Sequence, residues 1–156
     1  MSERELGMDK THVLLGLFFL GFLVSLTVAE GGARPGFLYT RSKGKCTPEY
    51  WSSRRETWPK MVPLTSSVSK VFGSRALDRN RADLTLLEAT ERNDDIGNAY
   101  HRLLKQASAA LLNSYARKPF PYSSWKVKTL LIQALVSEKA ADLQASQFSS
   151  ANQNCS

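Results

Sequence analysis

Only two cysteines occur in the chain, Cys46 and Cys155. If their sulfurs join, the first and last turns of everything between them must meet. In the chain-entropy picture, closing a loop of about 100 residues stabilises a fold by up to roughly 4.7 kcal/mol. The competing readings of the pair are a metal site and a reactive thiol. Zinc is disfavoured, because there is no Cys-x-x-Cys spacing and His101 is the one histidine beyond the N-terminal segment. Whether the thiols oxidise is set by the compartment, so the cysteines turn the question toward the N-terminus.

Residues 1–29 read as a secretory signal. A polar start is followed by an apolar run from Val13 to Leu26 and then by Thr27-Val28-Ala29, small residues suited to a signal peptidase. The run is softened by Gly16, Gly21, Ser25 and Thr27, and at about 17 residues, counting on through Val28 and Ala29, it is short of the roughly 20 that a lone spanning helix needs. Cleavage is expected after Ala29, with Ala33 as a second site. Arg4 and Lys10 are balanced by Glu3, Glu5 and Asp9, which leaves an uncleaved membrane anchor over residues 13–29 as the alternative. An oxidising destination makes the Cys46–Cys155 disulfide the expected state of the pair.

Cleavage after Ala29 leaves 127 residues, the size of one domain, with 19 Lys and Arg against 11 Asp and Glu. Outside the cell a basic excess points to acidic polysaccharide or anionic headgroups and away from nucleic acid. Residues 30–45 form a flexible basic arm with Gly31, Gly32, Pro35, Gly36 and Gly44, in which Arg34, Arg41, Lys43 and Lys45 are candidate polyanion contacts.

The domain proper, residues 46–156, opens on an irregular segment rich in aromatics and proline. Pro48, Pro59 and Pro63 preclude a long helix there. Tyr50, Trp51 and Trp58 have two readings, a lid packed on the core or a sugar-stacking platform. Helical spacing follows. Ser67–Phe72 is a short helix stopped by Gly73, and Asp83–Arg92 a second. A long helix begins with Asp94 and Asp95 as cap and first turn, with Ile96, Tyr100, Leu103, Leu104, Ala107, Ala110 and Leu111 on one apolar face. Pro119-Phe120-Pro121-Tyr122 breaks it. Ser123 or Ser124 then caps a helix carrying Val127, Leu130, Leu131, Ala134 and Leu135, and Ser137 starts a last segment, Glu138–Asn152, as a separate helix or a continuation. The fold class is therefore all-α: a small bundle of three to five helices with an irregular N-terminal segment, closed by one disulfide.

Catalytic signatures are missing. No Gly-x-Ser-x-Gly surrounds a serine, no phosphate loop or His-Glu-x-x-His occurs, and His101 reads as a surface residue. A non-enzymatic chain without metal or cofactor is expected. Asn154-Cys155-Ser156 has the form of a glycosylation sequon, with its middle residue committed to the disulfide.

Ile96-Gly97 with Tyr100, Leu112-Asn113-Ser114, Phe120-Pro121-Tyr122, Val127, Ala134-Leu135-Val136-Ser137, Lys139-Ala140-Ala141, Gln144-Ala145, Phe148 and Ala151-Asn152 together resemble the C-terminal helical domain of the plant protodermal factor family. Upstream, Cys46 with Tyr50-Trp51 is similar to the family's Cys-x-Tyr-Trp opening, with a longer spacing. The family's long proline-rich region is replaced here by the short basic arm. The resemblance implies a secreted structural or binding protein of the plant cell wall, with no catalytic residue to carry over. Two alternatives remain: a secreted ligand-binding or signalling module with an apolar pocket lined by Leu103, Leu111, Leu130 and Leu135, and the same ectodomain held by an uncleaved anchor. Nothing in the sequence sets the oligomeric state.

Overall fold

A computed structural model describes residues 44–80 and 82–155. The secretory segment and Arg34, Arg41 and Lys43 of the basic arm lie outside the described residues. Among the described residues six α-helices follow in order: α1, Pro48–Ser52; α2, Val68–Phe72; α3, Leu86–Glu91; α4, Ala99–Ala116; α5, Ser124–Ala134; and α6, Glu138–Asn154. A 3₁₀ turn, Ser74–Leu77, comes between α2 and α3. The most extensive packing is between α4 and α6, with α5 against both and α1 and α3 against α4. Among the described residues the only β pairing is a single antiparallel bridge, Ser67 to Thr85.

Each helix starts where a side chain satisfies its free amides. Ser67 Oγ accepts from Lys70 N at 3.3 Å, Ser123 Oγ from Lys126 N at 3.2 Å and Ser137 Oγ from Ala140 N at 3.2 Å. Thr85 and Glu88 form a reciprocal capping box at the start of α3. The bridge sets the two caps Ser67 and Thr85 side by side, with Val68 N donating to Leu84 O at 2.7 Å and Leu86 N to Ser66 O at 2.8 Å.

Two expected boundaries move, each for a local reason, and one open choice is decided. Asp83 does not open α3, because its carboxylate is taken by the amide and hydroxyl of Ser69, at 3.0 and 2.5 Å. Asp94 and Asp95 do not cap α4. Asn98 does, its Oδ1 accepting from Tyr100 N at 3.1 Å and His101 N at 3.0 Å. Gly97 just before it holds φ +80, a left-handed conformation that interrupts any helix running in from Asp94, so Ile96 is 92 % exposed and not part of the apolar face. The junction at Ser137 is a true break, with Ser137 extended and α5 and α6 separate helices.

The core is one cluster that includes Trp51, Val68, Phe72, Leu86, Leu103, Leu111, Val127, Leu131 and Phe148. The Phe-Pro-Tyr loop between α4 and α5 is pinned into it: Tyr122 stacks edge-on to Phe120 and Phe148, with ring centroids 5.9 and 5.4 Å apart. At the heart lies the amide of Asn113, fully buried on α4. Its Nδ2 donates to Cys46 O at 2.7 Å and Asn152 Oδ1 at 2.9 Å, and its Oδ1 accepts from Trp51 Nε1 at 2.8 Å. Asn152 on α6 in turn donates to the backbone oxygen and to Oε1 of Gln106, both at 3.0 Å. The N-terminal segment, α4 and α6 thus meet on one polar chain.

Two of these elements, the N-terminal segment and the end of α6, are also joined covalently, since Cys46 and Cys155 form a disulfide with Cα atoms 6.0 Å apart. A surface clasp reinforces the junction. Arg117 donates in a fork to Glu56, at 2.8 and 2.7 Å, donates to Lys45 O at 3.2 Å and lies over the Trp51 ring. Tyr50 Oη donates to Glu56 at 2.9 Å. The Arg117 fork holds the Glu56 carboxyl below its ordinary value, outweighing the opposing effect of burial.

Two outcomes follow from this architecture. Removing the disulfide, as Cys46→Ala with Cys155→Ala, lowers unfolding stability in urea by about 3–5 kcal/mol; an unchanged midpoint would contradict the clamp. Because the folded carboxyl of Glu56 is depressed, its contribution is complete above the ordinary glutamate value of 4.5 and is lost as pH falls through the folded value. The advantage of wild type over Glu56→Gln, about 1 kcal/mol at neutral pH, therefore shrinks in acid, and a pH-independent difference would refute the assignment.

Candidate functional site

Of the two readings of Tyr50, Trp51 and Trp58, a lid on the core and a sugar-stacking platform, burial favours the first for the tryptophans. Trp51 is 1 % exposed and Trp58 7 %. Both indole nitrogens are turned inward, Trp51 to Asn113 and Trp58 to Trp51 O at 3.1 Å. The stacking expectation therefore does not hold for these two, because burying a large ring with a polar tip requires that tip to find an internal acceptor, and both did. Tyr50 is half-buried, edge-on to Trp51 with its hydroxyl committed to Glu56. Of the candidate polyanion contacts only Lys45 is described; its residue is exposed.

The pocket expected from the leucines does not take shape around them. Leu103 and Leu111 have no exposure, and Leu130 and Leu135 pack against the same core.

A concave feature among the described residues lies at the N-terminal end of α4, where the chain leaves α3 and turns into Asn98. Arg79, Asn80, Ala82, Leu84, Arg92, Asp94, Asn98 and His101 line a cleft of about 400 Å³. Arg92 forks onto Asp94, Nε and Nη2 each at 2.7 Å, and donates from Nη1 to Asn80 Oδ1 at 3.0 Å. His101 Nδ1 is 3.2 Å from Asp94 Oδ2. The Arg92 fork pulls the Asp94 carboxyl down to about 2, so Asp94 stays ionised and neutralises Arg92. Arg79 stands differently. Its guanidinium lies over the Tyr100 ring, 5.1 Å from the centroid, and among the described residues no carboxylate pairs with it.

A histidine beside a carboxylate invites comparison with acid–base machinery, yet the cleft lining contains no serine, threonine or cysteine to be activated. The arrangement suits reception of an anion by Arg79 flanked by two amides. No cluster of three His, Cys, Asp or Glu side chains able to hold a metal forms among the described residues. Nor is any described helix long and apolar enough to cross a membrane.

Sequence spacing missed this cleft because its residues come from the loop around Asn80, the end of α3 and the start of α4, which no motif connects. It also passed over a broader signal: from Ile96 to Ser137 the chain contains no Asp or Glu, but it has Arg102, Lys105, Arg117, Lys118, Lys126 and Lys128. Three of these find carboxylates elsewhere in the chain: Arg102 pairs with Asp142, Lys105 with Glu49 and Asp95, and Arg117 with Glu56. Lys118, Lys126 and Lys128 make no ion pair among the described residues.

Neither the curated proteins nor the solved structures contain a match to this chain. The protodermal factor 1 C-terminal domain matches residues 46–155, which run from the first cysteine of the disulfide to the second. With the Phe-Pro-Tyr loop and the Asn113 junction placed as structural parts of that span, the chain belongs to the protodermal factor family of plant protein domains.

Proposed function

We propose that the chain is exported, closed by its disulfide in an oxidising compartment, and acts outside the cell as a non-enzymatic module that holds acidic wall polysaccharide. The observation that carries this reading is positive charge left over after internal pairing. The described acidic residues that form ion pairs are spent on Arg92, His101, Arg102, Lys105 and Arg117. Exposed Arg79, Lys118 and Lys126 and half-buried Lys128 have no carboxylate partner among the described residues. Basic residues of the arm, Arg34, Arg41, Lys43 and Lys45, add to the same sign of field. A polymer of uronic acids offers one carboxylate per sugar and so meets such a surface at many points at once. The cleft lining holds cations, amides and the His101–Asp94 pair, without a serine, threonine or cysteine beside them.

Export is checked first by intact mass. Protein recovered from apoplastic fluid is expected to begin at Glu30, or at Arg34 if Ala33 is the cleavage site, and to gain alkyl groups on two cysteines only after reduction. On immobilised de-esterified pectin it is retained at low salt and released steeply toward physiological salt, since exposed pairs are screened over about 8 Å at that ionic strength. Absence of retention at low salt, or retention indifferent to salt, would count against the reading.

A further inference from the structure

Building on the polysaccharide reading, we propose that the outward face of α5 around Trp125 is the stacking platform for a uronic-acid polymer, with Lys126 and Lys128 receiving carboxylates on either side. The buried residues of α5 are Val127, Leu131 and Ala134. At 100° per residue Trp125 stands about 160° from Val127, on the opposite side of the helix. It is 76 % exposed, unlike the other two tryptophans of the chain. Their indole nitrogens are hydrogen-bonded inside the core, whereas that of Trp125 makes no hydrogen bond among the described residues. A single exposed ring is ordinary on a protein surface; the charges beside this one set it apart.

Its neighbours narrow the choice. Helical geometry places Lys126 about 100° from Trp125 on one side and Lys128 about 60° on the other, and neither forms an ion pair among the described residues. Lys118, exposed just before the Phe-Pro-Tyr loop, carries the same charge at the approach to the helix. The outward stripe continues through Thr129 and Ile132, both half-buried, and just beyond the end of α5 Val136 is 77 % exposed. An indole face accepts the C–H face of a pyranose ring while ammonium groups on both flanks meet its carboxylates. Trp125 and Val136 are the only residues of the stripe that are mostly exposed, too little apolar surface to insert into a bilayer. A second copy of the chain fits poorly as well, because a two-fold contact through this face would bring Lys126 and Lys128 against their own counterparts.

The test uses the mature protein, residues 30–156, with oligogalacturonate as the probe at low ionic strength. Binding is read by tryptophan fluorescence and by retention on immobilised polygalacturonate. Trp125→Ala is expected to weaken binding at least tenfold without shifting the melting temperature, and Trp125→Tyr to restore most of it. Lys126→Gln with Lys128→Gln weakens binding and flattens its salt dependence, whereas Lys139→Gln on α6 changes it little. Trp125→Ala binding as tightly as wild type would overturn the platform while leaving the polysaccharide reading intact. No binding by wild type at low salt would overturn both. Attachment to phosphatidylserine vesicles that is lost in Trp125→Ala, without retention on polygalacturonate, would replace the sugar platform by a membrane contact.

Discussion

The architecture turns on one buried amide. Asn113 sits near the C-terminal end of the longest described helix with no exposure, and its side chain makes three hydrogen bonds, to the Cys46 carbonyl, the Trp51 indole and Asn152. A polar group so placed is costly unless every partner is present. The partners come from the start of the domain and from its last helix, so the amide is satisfied only when both have docked on α4. The Cys46–Cys155 disulfide joins those same two ends. Covalent closure and amide satisfaction therefore specify the same arrangement, and the Arg117 fork on Glu56 secures its rim.

That arrangement decides which side chains are left for function. Because the first turn of the domain is drawn inward, Trp51 and Trp58 become core, and the aromatic surface passes to Trp125 on α5. Because Glu49, Glu56, Asp95 and Asp142 are drawn to Lys105, Arg117 and Arg102, the acid-free stretch between α4 and α5 presents its remaining lysines outward. The functional reading rests on this partition of charge and aromatic area, which is a consequence of folding and not of any single motif.

Much of the fold was legible in the chain. Ser67, Ser123 and Ser137 announced helix starts because a short hydroxyl before an apolar-periodic run has few other uses. Gly73, at φ +93, announced a helix end for want of a Cβ. Less legible were choices between nearby candidates. Asp94 and Asp95 offered the same capping chemistry as Asn98, and the decision fell to Gly97 and to the competing attraction of Arg92 and Lys105 for the two carboxylates. The end of α1 gave no signal, since Arg54 takes the left-handed conformation without being glycine. The roles of Trp51 and Trp58 hinged on acceptors more than 60 residues away or on backbone geometry, which spacing does not record. The cleft at Arg79 is likewise assembled from three separate segments.

The central claim, that the Asn113 amide couples the N-terminal segment and α6 to α4, is tested most directly by urea unfolding of Asn113→Leu with the disulfide intact. Leucine keeps the branching at Cγ, with a larger volume, and would strand the Cys46 carbonyl, the Trp51 indole N–H and the side-chain oxygen of Asn152. The account predicts a loss of about 3 kcal/mol or more, even though the covalent closure remains. A loss below about 1 kcal/mol would show that burial and the disulfide hold the ends together without the amide, and would contradict it.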